Sequence, residues 1–350
     1  MRPLPCRLLV DLPNWLGDLI HAIPALHRLE AGNRGGVTVA VAPDALVPVV
    51  RLLGIEALPR PRRAGFRWAR ASLAGRFDVA ITARHSTRCK LLLRGSGTAI
   101  TIGSRGRGAD VLGLETFKVD RRLHQSHDLD GVLRVLGLGA VAASDIRLAL
   151  PAGLRAHGDW WRGRLDGRGR LIAVLPGTRH TPEKRYPIAE LAEVARGLGE
   201  AGATPVVVAG PGEEDLTLKL ASVPGVRIAP VGLALDRAAA LLSACDAAVG
   251  SDSGLTHLAA AVGCPTVALF GPTEPSRTAP VGGAVVLRAT PFAGRSAWAM
   301  LPPAPVVEAV LAQAHRPRLT RVLHDAGVNG MIPPGSGPLA QLAEQGTLNP

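Results

Sequence analysis

Between Asp246 and Gly271 the hydrophobic period of this chain changes twice, and that change limits the folds open to it. Asp246 to Gly250 is a short apolar run suited to a buried strand. Leu255, Leu258, Ala259 and Val262 then recur at the spacing of one helix face. Gly263 and Pro265 stop that helix, and Thr266 to Phe270 reads as the next strand. The turn between them, Gly250-Ser251-Asp252-Ser253-Gly254, is small enough to bend tightly with its amides outward. A helix N-terminus has unpaired N–H groups and partial positive charge, so it can seat a phosphate. Ser253 is equally suited to an ordinary N-cap.

The same unit recurs along the chain. Cys6 to Val10 is a strand, Leu12 to Asp18 a Gly-containing loop, and Leu19 to Leu29 a helix with Ile20, Ile23, Leu26 and Leu29 on one face. Asp18 falls at that helix start, as a favourable charge or as a carboxylate facing a cleft. Pro24 is expected to kink the helix or move its start. Further strands are expected at 37–42, 78–82, 99–102, 171–175 and 206–209. Helices are expected near 44–53, 67–74, 126–137, 188–199, 214–221 and 236–244. Strand, Gly-rich turn and helix in repetition imply α/β architecture: parallel sheets with helices on both faces and ligands at the strands' carboxyl ends. Two doubly wound domains are expected at 1–160 and 168–295. The Gly-, Arg- and Trp-rich stretch around 151–169 would be a hinge and an amphipathic helix.

Charge separates the two halves. Residues 1–165 hold 25 Lys and Arg against 13 Asp and Glu, whereas residues 166–350 hold 15 of each. The excess in the first half suits an anionic partner, either a phosphorylated substrate or an acidic membrane surface. Nucleic acid is disfavoured, because no binding module or interleaved aromatics accompany the charge. One basic group, Arg60, Arg62, Arg63, Arg67 and Arg70, reads as a solvated linker and helix start. A second, Arg84, Arg88, Lys90 and Arg94, follows a strand's carboxyl end. GSRGRG at 103–108 has neither the order nor the setting of a dinucleotide fingerprint. Cys6, Cys89, Cys245 and Cys264 have no close pair and no zinc spacing. The N-terminus reads as a first strand and not as a signal peptide. No run approaches the roughly 18 apolar residues of a membrane span, so a soluble protein of a reducing compartment is expected.

NWLGD at 14–18, PGTRHTPEKRYP at 176–187, GPGEE at 210–214 and SDSGLTHLAAAVGCPTVALFGPTEP at 251–275 together resemble the ADP-heptose–lipopolysaccharide heptosyltransferases, closest to the heptosyltransferase II type. The resemblance covers roughly residues 6–312 in order and spacing. It implies the GT-B fold: two Rossmann-like domains with a cleft between them, acceptor in the first and nucleotide-sugar in the second. It also implies a closing helix within 296–314 that packs toward the N-terminal domain. Residues 315–350 would be a flexible tail beyond the catalytic unit.

The resemblance carries roles onto particular residues. Asp18 matches the proposed catalytic base, and Lys184 the lysine that contacts the diphosphate. Ser253, Gly254 and Leu255, with Thr256, would cradle that diphosphate. Asp252 and His257 match positions near the nucleotide-sugar, although His257 could instead bond only structurally. Glu213 or Glu214 matches the ribose-binding carboxylate, and Thr178 and Arg179 are secondary donor contacts. Asn14, Trp15, Arg84, Arg88 and Lys90 are expected on the acceptor side.

The activity implied is inverting transfer of heptose from ADP-heptose to heptosyl-Kdo-lipid A. It would be carried out by a cytoplasmic monomer held peripherally on the inner membrane, with no cofactor and no metal. Two departures stand out. Pro291 to Trp298 lacks a cysteine common in this type, and residues 84–94 differ from the usual wording, which leaves the acceptor open. A transferase with another donor or acceptor, a nucleotide-sugar hydrolase or epimerase, and a non-catalytic binding protein are the rival readings. Donor screening, turnover without acceptor, and binding without turnover separate them.

Overall fold

The computed structural model describes residues 4–106, 109, 112–142, 146–165, 169–178, 181–281, 284–289 and 297–315. The first domain runs β1 (Arg7–Asp11), α1 (Leu16–Gly32), β2 (Val37–Ala42), α2 (Val47–Leu52), β3 (Glu56–Pro59), α3 (Phe66–Ser72), β4 (Val79–Thr82), α4 (Thr87–Gly95), β5 (Ile100–Ser104), β6 (Glu115–Phe117) and α5 (Asp130–Val135). Its six strands are ordered β3-β2-β1-β4-β5-β6, every neighbour parallel. Leu8, Leu9 and Val10 are almost wholly buried, as a central parallel strand covered on both faces requires. Pro24 lies in the interior of α1, which begins earlier than the apolar period suggested and continues through the proline.

The second domain runs α6 (Ala152–Arg164), β7 (Leu171–Leu175), α7 (Ile188–Glu200), β8 (Thr204–Val207), α8 (Glu214–Ala221), β9 (Arg227–Ile228), α9 (Leu235–Ala244), β10 (Ala247–Ser251), α10 (Gly254–Ala261), β11 (Thr266–Phe270), α11 (Pro275–Thr278), β12 (Val285–Arg288) and α12 (Pro303–Ala314). Its strand order, β12-β11-β10-β7-β8-β9, is again parallel throughout. Strand order reverses between β1 and β4 in the first sheet and between β10 and β7 in the second. Those reversals open crevices beyond the strands' carboxyl ends, where ligands of such sheets bind.

One boundary differs from expectation. The chain crosses to the second domain before residue 160. The Leu148 amide donates to the Ala261 carbonyl at 2.9 Å. α6 then lies on α9, with Gly158 so close to the Ala240 carbonyl that a Cβ could not fit. Arg162 fixes this packing through the Ala244 carbonyl and Asp246, both at 2.8 Å. The last helix, α12, packs within the second domain. Val306 and Val310 are fully buried in the second domain's core with Leu191, Val194 and Leu198 of α7, and Val307 meets Gly197. Its apolar stripe is consumed there. Residues 316–350, the expected tail, lie outside the described residues, as does most of the cysteine-less segment 291–298.

A single apolar cluster bridges the domains, joining Leu26 and Leu29 of α1 to Leu258 and Ala259 of α10. Each of these leucines contributes about 1.5–3 kcal/mol when fully buried. No helix among the described residues is long and apolar enough to cross a membrane.

Candidate active site

On the first sheet, the reversal is built around a buried carboxylate. Asp11, the last residue of β1, is fully buried. It accepts from Arg60 Nη1 at 2.7 Å, Arg84 Nε at 2.8 Å and Thr82 Oγ1 at 2.8 Å. Burial pushes its carboxyl up, against the opposing pull of the Arg84 and Arg60 guanidiniums. Arg60 also donates to the Leu12 carbonyl at 3.2 Å and to Asn14 Oδ1 at 2.7 Å, so the network fixes both Arg84 and the loop into α1. The basic group that reads as a solvated linker therefore includes one buried structural arginine.

Beyond these strand ends lies a cavity of about 420 Å³, whose walls include Asn14, Trp15, Asp18, Arg84, Arg121 and Arg277. Asp18 sits in the first turn of α1 without capping it, and Oδ1 accepts from Gln125 Nε2 at 2.7 Å. Arg88 and Lys90 do not line this cavity. Arg88 is exposed on α4 near Gly65, and Lys90 is fully buried with its ammonium beside Gly106. Gln125 and Arg121, on a loop 107 and 103 residues from Asp18, were not foreseen. They lie on no apolar period, and only the strand reversal brings them to Asp18.

On the second sheet, Lys184 Nζ donates to Asp252 Oδ2 at 2.8 Å, and His257 Nε2 donates to Asp252 Oδ1 at 3.2 Å. Burial would raise the Asp252 carboxyl, but the bonds from His257 and Lys184 outweigh it and bring it down to about 2. Asp252 thus stays ionised and holds the lysine over the turn. Ser253 is both N-cap and turn residue: Oγ accepts from the Thr256 amide, and Thr256 Oγ1 donates to the Ser251 carbonyl at 2.7 Å. Gly254 and Leu255 open α10, and the Leu255 side chain packs on the core, so Leu255 can offer the turn only its backbone amide.

Glu213 is buried and accepts from the Gly210 amide at 2.8 Å. Its carboxylate lies so near Gly177 that a Cβ there would overlap it, which places Glu213 at the carboxyl ends of β7 and β8. Glu214 is exposed in the first turn of α8. Thr178 Oγ1 donates to the Thr181 carbonyl at 2.6 Å and shapes the loop carrying Lys184. Arg179 lies outside the described residues. Trp298 fastens the same loop: it stands edge-on to Tyr186, its indole N–H donates to the Glu183 carbonyl, and Tyr186 Oη donates to the Leu301 carbonyl.

The two half-sites touch. A Cβ on Gly17 would come within 3.2 Å of His257 Cδ2, and one on Gly254 within 2.9 Å of Leu16 Cβ. The N-termini of α1 and α10 therefore meet across the cleft, with Asp18 one residue from the contact. His21 is buried between His257 and His124, ring centroids 4.6 and 5.0 Å away. Arg277 bonds both oxygens of Asp128, at 2.7 and 2.6 Å, and His124 shares a hydrogen bond with the Ala279 carbonyl.

Residues 65–290, more than half of the chain, match the model of glycosyltransferase family 9 (heptosyltransferase). The chain belongs to glycosyltransferase family 9. It is 27% identical over 306 residues to lipopolysaccharide heptosyltransferase 2 of Escherichia coli K12, covering 79% of this chain and 85% of that one. Its fold matches a glycosyl transferase family 9 structure from Veillonella parvula (TM-score 0.78, 21% identity, 90% of this chain and 98% of that one). It also matches the E. coli ADP-heptose LPS heptosyltransferase II (TM-score 0.73, 24% identity, 88% and 98%). The family 9 member described here is a glycosyltransferase of GT-B-like fold, with a strand-reversal crevice of each sheet facing the shared cleft.

Proposed function

We infer that this family 9 enzyme moves L-glycero-D-manno-heptose from ADP-heptose, with inversion, to heptosyl-Kdo-lipid A. The observation that carries the reading is the contact of the Gly17-Asp18 helix start with the Asp252–His257 turn, which sets a first-domain carboxylate beside the second-domain phosphate cradle. Asp18 takes the proton of the acceptor hydroxyl. The hydroxyl oxygen bonds to the anomeric carbon while the bond to the diphosphate breaks, and ADP leaves with that electron pair. Lys184 and the amides of Ser253, Gly254 and Leu255 meet the charge that develops on the leaving group. Glu213, buried at the strand ends, suits the ribose hydroxyls better than exposed Glu214. Gln125 aims the Asp18 carboxylate, and Asn14, Trp15 and Arg84 face the acceptor. With the lysine and the helix terminus in these roles the reaction calls for no metal, and the basic first half suits peripheral attachment to the cytoplasmic face of the inner membrane.

Incubation with ADP-heptose and heptosyl-Kdo-lipid A is expected to release ADP and add one heptose to the acceptor mass, with chelator present or absent. Turnover with a different donor alone would overturn the assigned specificity.

A further inference from the structure

A second hollow, about 320 Å³, adjoins the Asp18 cavity and shares His85 and Arg121 with it. Its walls also include Ser104, Arg105, Lys118 and Val119. The strand ends explain why these residues meet. Ser104 ends β5 and Phe117 ends β6, the two strands are parallel neighbours, and the Arg105 amide donates to the Phe117 carbonyl at 2.8 Å. Arg105 and Lys118 therefore leave the same carboxyl edge of the sheet side by side. His85, just past β4, bonds through Nδ1 to Ser104 Oγ at 2.8 Å and joins the two hollows.

Charge sets this hollow apart. In the Asp18 cavity two of the cations have counterparts: Arg84 is committed to Asp11, and Arg277 to Asp128. The second hollow is lined by Arg105, Lys118 and Arg121, with no carboxylate among the described residues of its wall. Exposed cations scattered singly are merely solvated. Three lining one concavity repel one another and raise the local concentration of anions.

We propose that the hollow at the ends of β5 and β6 is an anion subsite that takes a phosphate or carboxylate carried by the acceptor saccharide, beside the sugar whose hydroxyl faces Asp18. The placement of that sugar rests on the function inferred above; the charge of the subsite does not. Arg105 and Lys118 supply charge-assisted hydrogen bonds, and Arg121 reads both the sugar and its anionic neighbour. Acceptors lacking an anionic group at this distance are poor substrates for lack of affinity, not of chemistry.

Two measurements on the full chain test this. In steady-state transfer with a soluble, deacylated acceptor, the Arg105→Gln/Lys118→Gln variant is expected to raise acceptor KM about ten- to hundredfold, with kcat and donor KM near wild type. Phosphatase treatment of the acceptor erases the difference if the group is a phosphate and preserves it if a carboxylate. Separately, with ADP saturating the donor site, inorganic phosphate is expected to raise the Tm of the wild type and not of the variant. An unchanged acceptor KM overturns the proposal, as does a phosphate-induced shift of equal size in both proteins. So does a variant that loses only its binding to phosphatidylglycerol vesicles while handling soluble acceptor normally, which would make the patch a membrane contact. Absence of turnover with every acceptor sinks the transferase reading instead, and the phosphate shift still decides the subsite.

Discussion

Gln125 Nε2 donates to Asp18 Oδ1 at 2.7 Å, and this single bond aims the carboxylate from the first turn of α1. A carboxylate in place of that amide would face Asp18 directly, and like charges at this distance raise a pKa. Gln125→Glu is expected to move the acid limb of the kcat–pH profile upward by about one unit while ADP binding stays unchanged. A profile superimposable on the wild type would separate Gln125 from the base.

Asp18→Asn keeps the shape of the side chain and removes its basicity. Transfer is expected to fall about 10²–10⁴-fold, with ADP affinity by calorimetry close to wild type. Retention of full activity would remove Asp18 from the chemistry.

The Asp252 carboxylate gathers Lys184 and His257, and the site depends on its charge. Asp252→Asn leaves the lysine without its ionic partner, and the ammonium is no longer held over the turn. A loss of about 10²–10³ in kcat is expected, the scale of losing one preorganised group at a developing anion. Lys184→Gln should fall in the same range. The double variant should be no worse than the poorer single one, which a rapid-quench comparison of the three proteins checks.

Much of this was open to the sequence, and the division has a physical reason. The Asp252–His257 turn, Asp18 and Lys184 sit at strand-to-helix junctions, where the apolar period itself marks the carboxyl ends of parallel strands. Gln125, Arg121, Asp128 and Arg277 sit in loops and a one-turn helix without a period, so only the assembled sheets reveal them. Lys90 shows the opposite failure. It follows a strand in a basic run and looks like a surface cation, yet it is fully buried on α4. Charge signs cannot say which side of a helix is inward. The last helix poses a related problem: Val306 and Val310 require a core, which the second domain provides, but their spacing does not name which domain that is.

His21 is buried with neither ring nitrogen hydrogen-bonded, among His257, His124, Asp252 and Arg277. Burial foremost, then the neighbouring His257 and His124, hold its pKa down at about 2 against an ordinary 6.5. The folded protein keeps this ring neutral where the unfolded chain would protonate it. Stability from this group is therefore level above about pH 6.5 and lost as pH falls toward 2, by up to about 1.4 kcal/mol per unit. Urea midpoints measured from pH 8 to 5 should show this decline. His21→Leu should flatten it by one proton's worth; an unaltered slope would assign the decline to other groups.

Gly177 allows the Glu213 carboxylate to lie across the end of β7. Gly177→Ala is expected to push Glu213 aside, at about 1–3 kcal/mol of stability, and to weaken ADP binding. Calorimetric titration with ADP is the check, and unchanged affinity would take Glu213 out of the nucleotide site.

The early crossing of the backbone decides how this enzyme can be taken apart. A gene split at the glycine-rich stretch after Arg164 would ship the 152–164 helix with the wrong fragment, exposing Trp161 on one piece and bare α9 on the other. A split upstream of Ile146 would hand each fragment the greasy surface it was built with. Two-piece complementation should succeed only there, which makes that seam the natural port for inserting a reporter.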